Sequence, residues 1–204
     1  MSRRRMEEEV LEKITSRMVE FLSDHGVSPM SLTISAFAAA ITSSILYLYA
    51  PSNRLLYFPA AITLALSGFL DAVDGAVARR MNRVSKLGAF LDSVFDKLGE
   101  CFILIAIICS GAVDVLWGSI ALASSILVSY VRHRAEPFGV NLRGVGVTER
   151  AERIILLMIA SLLTPIARDA LNYGIILIAV LASVTVAWRI IYVVYRLRAN
   201  RTPS

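Results

Sequence analysis

Four aspartates, Asp71, Asp74, Asp92 and Asp96, dominate the chemistry that this sequence of 204 residues could carry. The first pair stands in Asp71-Ala-Val-Asp74-Gly75-Ala-Val-Ala78-Arg79, the second in Gly88-Ala-Phe-Leu-Asp92-Ser-Val-Phe-Asp96. At ~100° per residue, Asp71, Asp74, Gly75 and Ala78 share one face of a helix, while Gly88, Asp92 and Asp96 stack on one face of the next. A polar turn over 82–86 joins the two helices, so the acidic faces must be neighbours. Carboxylates crowded beside apolar segments repel one another and are costly to place there, so a cation must stand between them. Hard oxygen donors without histidine or cysteine favour Mg²⁺, Mn²⁺ or Ca²⁺ over zinc. Two such ions could clamp a diphosphate and stabilise the oxygen that leaves it. Gly75, Ala78 and Gly88 have almost no side chain, which lets a helix or a ligand approach the backbone closely. Arg79, Arg80 and Lys86 add positive charge for phosphate oxygens. Taken singly, Asp71 or Asp74 reads equally well as the solvated end of a helix. The four together do not, because Asp92 and Asp96 sit one turn apart at the start of a strongly apolar helix.

The elements that must position these acids are membrane helices. The chain is 56% hydrophobic with a mean hydropathy of +0.65, above the 45–50% apolar content usual for soluble domains. Apolar stretches over roughly 32–49, 55–70, 90–110, 112–131, 154–171 and 173–195 approach the ~20 residues a helix needs to cross a bilayer. Residues 5–24 place Met6, Val10, Leu11, Ile14, Met18, Val19 and Leu22 at helical spacing among charges, the pattern of a helix lying on the membrane surface. His25-Gly26 stops that helix before Pro29. The expected fold is therefore an all-α integral membrane protein, six transmembrane helices preceded by an N-terminal amphipathic interfacial helix. It forms one domain over 1–204, with 1–27 the interfacial helix and 28–204 the core.

The net charge of +5 needs no nucleic acid to explain it. Six spans put 19 of the 21 Lys and Arg residues on one side and leave only Arg54 and Arg168 on the other. The positive-inside rule then places both termini and the aspartates on the cytoplasmic side of the cell membrane. Arg3 to Arg5 followed by Glu7 to Glu9 lack the layout of a cleavable signal. Cys101 and Cys109 lie too far apart along one helix to pair with each other.

The pattern Asp-x2-Asp-Gly-x2-Ala-Arg-x8-Gly-x3-Asp-x3-Asp resembles the signature of the CDP-alcohol phosphotransferases, and every fixed position matches between Asp71 and Asp96. The resemblance implies that Asp71, Asp74, Asp92 and Asp96 bind two Mg²⁺ or Mn²⁺ ions, with Asp96 also accepting a proton. It implies a CDP-lipid site on Met30, Ser31, Thr33, Asp71, Asp74, Gly75, Ala78, Arg79, Ser85 and Gly88, and a homodimer. Many members carry Pro-Asn where this chain has Pro29-Met30, so a contact made by that asparagine has no counterpart here.

The segments Ser129-Tyr-Val-Arg132-His133-Arg134-Ala-Glu136 and Val147-Thr-Glu149-Arg150-Ala-Glu152-Arg153 resemble the branch that makes phosphatidylinositol phosphate or archaetidylinositol phosphate. That implies CDP-diacylglycerol or CDP-archaeol as donor and inositol phosphate as acceptor. An acceptor with its own phosphate needs arginines that fork onto its oxygens, and Ser129, Arg134, Arg150, Arg153 and Arg189 could supply them. Arg189 is the most informative, because it interrupts an apolar helix between Trp188 and Ile190. The plainer reading pairs these arginines with Glu136, Glu149 and Glu152 as surface anchors, and His133 is read as facing lipid headgroups. Rival functions are the same transfer to glycerol 3-phosphate, serine or free inositol, a divalent-cation transporter using the same aspartates, and a noncatalytic scaffold.

Overall fold

Residues 16–142 and 144–199 are described by a computed structural model. Arg143 and the 5–15 half of the expected interfacial helix lie outside them. The described chain is helical, with no strand among these residues. Helix α1 covers 16–24 and closes at Gly26, whose φ of +69° lets the Val27 N–H reach back to the Leu22 carbonyl at 3.0 Å. Its buried Val19 packs with Leu32, Val73 and Val77, and Glu20 pairs with Arg80 at 3.0 Å.

Helix α2 (Pro29–Tyr49) opens on a proline whose missing N–H costs nothing in the first turn. A short 3-10 turn, Arg54–Leu56, leads into α3 (Tyr57–Arg80). Helix α4 (Lys86–Cys109) is capped by the Ser85 hydroxyl, which accepts the Gly88 N–H at 3.0 Å. Asp114 caps α5 (Val115–Ala135) in the same way through the Trp117 N–H at 3.1 Å. Pro137 lies in a 3-10 turn, Glu136–Phe138, that follows α5 and ends at left-handed Gly139. Helix α6 (Arg150–Leu163) begins where the Glu152 carboxylate accepts the Glu149 N–H at 3.0 Å. Helix α7 is Ala170–Ala199.

Helix α2 packs against α3 and α4, α5 against α7 and α4, and α6 bridges α3 and α7. Tyr47, Leu64, Ile107, Ala121, Leu157, Leu171 and Ile175 belong to the core they share. Small residues allow the close approach: a Cβ on Gly99 would stand 2.9 Å from the Ala40 Cβ. Polar side chains in this core pair in places, as where the Tyr47 and Ser161 hydroxyls meet at 2.6 Å and Ser43 donates to the Ala60 carbonyl at 2.9 Å. The outer surface is apolar instead. Ile45, Ile62, Phe102, Ile105, Leu116, Leu177 and Ile191 are all exposed, the arrangement that lipid solvates and water does not.

Among the described residues, four segments are long and apolar enough to cross a membrane: Pro29–Tyr49, Arg54–Arg80, Val115–Phe138 and Ala170–Arg198. The expected spans over 90–110 and 154–171 take a different form. The first is α4, whose leading half carries Asp92, Asp96 and Lys97, with Glu100 just beyond it. The second is α6, only 14 residues long because the chain turns at Thr164 and Pro165.

Candidate functional site

The four aspartates come together where the C-terminal end of α3 meets the N-terminal half of α4, with two clefts opening from them. One, of about 470 Å³, is lined by Met30, Thr33, Asp74, Gly75, Ala78, Arg79, Ser85, Gly88 and Asp92, with Arg83 added by the turn. The other, of about 380 Å³, is lined by Asp71, Asp92, Asp96, Lys97, Ser129, Arg132, His133, Arg150, Arg153 and Arg189. Asp92 is therefore common to both walls. The first cleft gathers eight of the ten residues expected for a CDP-lipid besides the shared Asp92. Asp71 faces the second cleft instead, and Ser31 is exposed, donating to the Ser28 carbonyl at 2.7 Å.

Asp71, Asp74 and Asp96 each have a side-chain partner, and Arg150 serves two of them. Thr33 donates to the Asp74 carboxylate at 2.6 Å, fixing α2 to α3 at the mouth of the first cleft. Arg150 forks between α3 and α4, with Nη1 on the Asp71 Oδ2 and Nη2 on the Asp96 Oδ1. Lys97 Nζ lies 3.0 Å from the other Asp96 oxygen and 2.9 Å from Glu100 Oε2. Among the described residues, no three acids, histidines or cysteines are grouped tightly enough to hold one metal ion. The donor set nonetheless fits a hard divalent cation. Two carboxylates from facing helices already share one positive group, and the remaining acids stand beside them at the junction of the clefts.

The second cleft is cationic, and its arginines divide by role. Arg153 is nearly buried, with Nε and Nη2 both on Glu100 Oε1 at 3.0 and 2.6 Å, and its Nη1 is buried without a partner. Arg189, 1% exposed, donates from Nε to the Val145 carbonyl at 2.8 Å and from Nη1 to the Val128 carbonyl at 2.7 Å. Its Nη2 lies 3.3 Å from Glu149. Arg189 thus clamps the loop before α6 against α5, leaving little of its guanidinium free for a ligand. Arg134 stands apart from the cleft. It lies over the Phe138 ring at 5.9 Å and lines an apolar groove between α5 and α7. The helical step that turns Arg134 away turns Arg132 and His133 toward the cleft.

Sequence reasoning passed over Arg132, Lys97 and Glu100. Glu100 had a readable signal, since it continues the four-residue ladder of Asp92 and Asp96 along α4. Nothing in the local pattern separates Arg132 from Arg134, because that choice depends on where α5 meets α7.

Comparison with known proteins bears on this geometry. A family model described as CDP-alcohol phosphatidyltransferase matches residues 27–197. An archaetidylinositol phosphate synthase of Pyrococcus horikoshii is 40% identical over 176 residues, 85% of this chain and 87% of the relative. Among solved structures, the phosphatidylinositol phosphate synthase of Mycobacterium tuberculosis with CDP-DAG bound superposes with a TM-score of 0.75 at 26% identity, covering 89% of this chain and 94% of the other. The same mycobacterial protein in complex with manganese and citrate gives a TM-score of 0.75 at 25% identity, covering 88% of each chain. With a matched segment that takes in the acids, both clefts and six of the seven helices, the chain is an enzyme of the CDP-alcohol phosphatidyltransferase family.

Proposed function

We propose that the chain transfers a phosphatidyl-type group, archaetidyl or phosphatidyl, from a CDP-lipid to inositol phosphate and releases CMP. The observation that carries this reading is the position of Asp92 on the walls of both clefts. A donor in one and an acceptor in the other meet at the acids and nowhere else. Met30, Thr33, Asp74, Gly75, Ala78, Arg79, Ser85 and Gly88 hold the cytidine diphosphate, and the lipid tails leave along the apolar outer surface. Ser129, Arg132, Arg150 and Arg153 take the acceptor's phosphate, with the unpartnered Nη1 of Arg153 the donor most in need of one. The names of the relatives support inositol phosphate as the acceptor.

Asp71, Asp74, Asp92 and Asp96 would hold Mg²⁺ or Mn²⁺, two ions, supplying positive charge against the pyrophosphate oxygen that departs. Asp96 takes the proton of an inositol hydroxyl, which requires hydrogen-bond reach. That oxygen forms a bond to the phosphorus carrying the lipid, the bond from that phosphorus to the bridging oxygen breaks, and CMP leaves with the electron pair. Lys97 and Arg150 steady the Asp96 carboxylate until the acceptor arrives.

The membrane frame belongs to the same reading. Helices α4 and α6 cross with the other four, their polar ends forming the site and their apolar remainders reaching into the bilayer. Helix α1 lies at the cytoplasmic surface, both termini and the site are cytoplasmic, and two copies form a homodimer as the resemblance implies. The test is CMP release by purified chain with CDP-archaeol and CDP-diacylglycerol, each offered inositol phosphate, inositol, glycerol 3-phosphate and serine. Turnover is expected with inositol phosphate and Mg²⁺ or Mn²⁺, and Asp96→Asn should retain CDP-lipid binding without release. Turnover only with another acceptor defeats the acceptor assignment, and full turnover by Asp96→Asn removes the base.

A further inference from the structure

Arg150 touches residues assigned to two different ligands. It is the first residue of α6, and its guanidinium bridges Asp71 on α3 to Asp96 on α4. Its side chain also lines the cleft that contains Ser129, Arg132 and Arg153. Among the described residues it is the one cation paired with two of the four aspartates. Lys97 reaches Asp96 and Glu100 only, and Arg153 is held by Glu100.

A guanidinium and a divalent ion compete for the carboxylate oxygens that Arg150 holds, Asp71 Oδ2 and Asp96 Oδ1. They repel each other at contact distance, and in partly buried surroundings that repulsion is weakly screened. A metal ion taken up through these two oxygens therefore displaces Arg150. The displaced side chain can turn into the adjoining cleft that it already lines, where Arg132 and Arg153 stand. A third arginine is unwelcome there unless an anion is present, and a phosphate supplies that anion in a form the guanidinium fork matches.

We infer that Arg150 is a resident counter-cation that exchanges with the divalent metal, and that the acceptor's phosphate drives the exchange by drawing Arg150 into its own cleft. The inference rests on the metal and acceptor reading above and adds a linkage between the two ligands. Metal and acceptor phosphate then bind with positive coupling, and thermodynamic reciprocity requires each to tighten the other by the same factor. Before the acceptor arrives, Asp96 is held by Arg150 and Lys97, so the proton acceptor is released by the molecule whose proton it takes.

The experiment measures Mn²⁺ binding to the full chain in detergent by the electron paramagnetic resonance signal of free Mn²⁺, with and without inorganic phosphate and with no CDP-lipid. In the wild type, phosphate should tighten Mn²⁺ binding about fivefold or more, within the usual range of coupling between sites. A titration of Mn²⁺ with phosphate in the absence of protein measures the free signal lost to complexation in solution, and the response counted is the loss beyond it. Arg150→Gln should bind Mn²⁺ about tenfold more tightly in the absence of phosphate and lose the response to it. Arg150→Lys keeps the charge but cannot fork, so it should fall between the two, whereas a role for charge alone predicts wild-type behaviour. Unchanged Mn²⁺ affinity on adding phosphate to the wild type overturns the exchange, and so does an Arg150→Gln protein that binds Mn²⁺ no more tightly. The wild-type arm needs no substitution, so a misfolded variant leaves the result decided. Absence of Mn²⁺ binding under every condition would instead bring down the metal reading, and the exchange with it.

Discussion

Glu100 shows how much of this site depends on residues outside the signature. Its carboxylate holds Arg153 by two nitrogens and Lys97 by a third, so one negative charge deep in α4 compensates two positive ones. Removing one member of a buried pair strands the others, at a typical cost of 3–5 kcal/mol. Glu100→Gln should therefore lower stability by about 3 kcal/mol and weaken inositol phosphate binding more than CDP-lipid binding. Thermal unfolding in detergent and separate KM values for donor and acceptor check both parts. Equal loss for the two substrates would make Glu100 merely structural. The aspartate faces were legible in the sequence because helical periodicity and one tight turn suffice to bring Asp71, Asp74, Asp92 and Asp96 together. The arginines were not, because their roles depend on tertiary neighbours. Arg134 and Arg132 sit two residues apart and face different surroundings, and Arg189 is consumed by carbonyls that no local pattern reveals.

Among the elements, the segment between α5 and α6 is shaped by α7. Gly146 has a φ of +119°, a conformation L side chains rarely adopt, and a Cβ there would collide with the Thr185 Cγ2. The contact lets Thr185 Oγ1 accept the Val147 and Thr148 N–H groups, both at 3.1 Å, while Arg189 takes the Val145 carbonyl. The loop so pinned delivers Glu149 and Arg150 to the start of α6. Gly146→Val should lift the loop from α7, cost about 2 kcal/mol through backbone strain, and raise the KM for the acceptor several-fold with the donor little affected. Steady-state kinetics with each substrate varied in turn checks this, and a donor effect of equal size would show that the loop serves both clefts. The sequence of this stretch carries Pro137 and the glycines that suit a connection. It could not mark the docking, because Thr185 is an ordinary helix residue until a loop lies against it.

For the whole molecule, hydropathy located the helices well and described two of them badly. An apolar average cannot distinguish a uniformly apolar span from α4, where acids, a lysine and an apolar tail share one helix. Nor does it show that α6 stops at Leu163. Orientation is a separate inference and rests on charge rather than on boundaries. The N-terminal end of α2, the turn between α3 and α4, the end of α5, the start of α6 and Arg189 of α7 line the clefts beside the aspartates, and six spans read from the sequence assign 19 of the 21 basic residues to that side. Each Lys or Arg held back on the cytoplasmic side biases insertion the same way, and moving one helix boundary by a few residues changes none of the assignments. A reporter fused after Ser204 should therefore be active only in the cytoplasm, and a second one inserted between Pro51 and Arg54 only outside. Six crossings place these two sites on opposite sides, and so does a chain in which α4 and α6 fail to cross, where α5 enters from the cytoplasmic side instead of from outside. A third reporter at Gly111, between α4 and α5, separates the cases: outside if α4 crosses, and cytoplasmic if it does not.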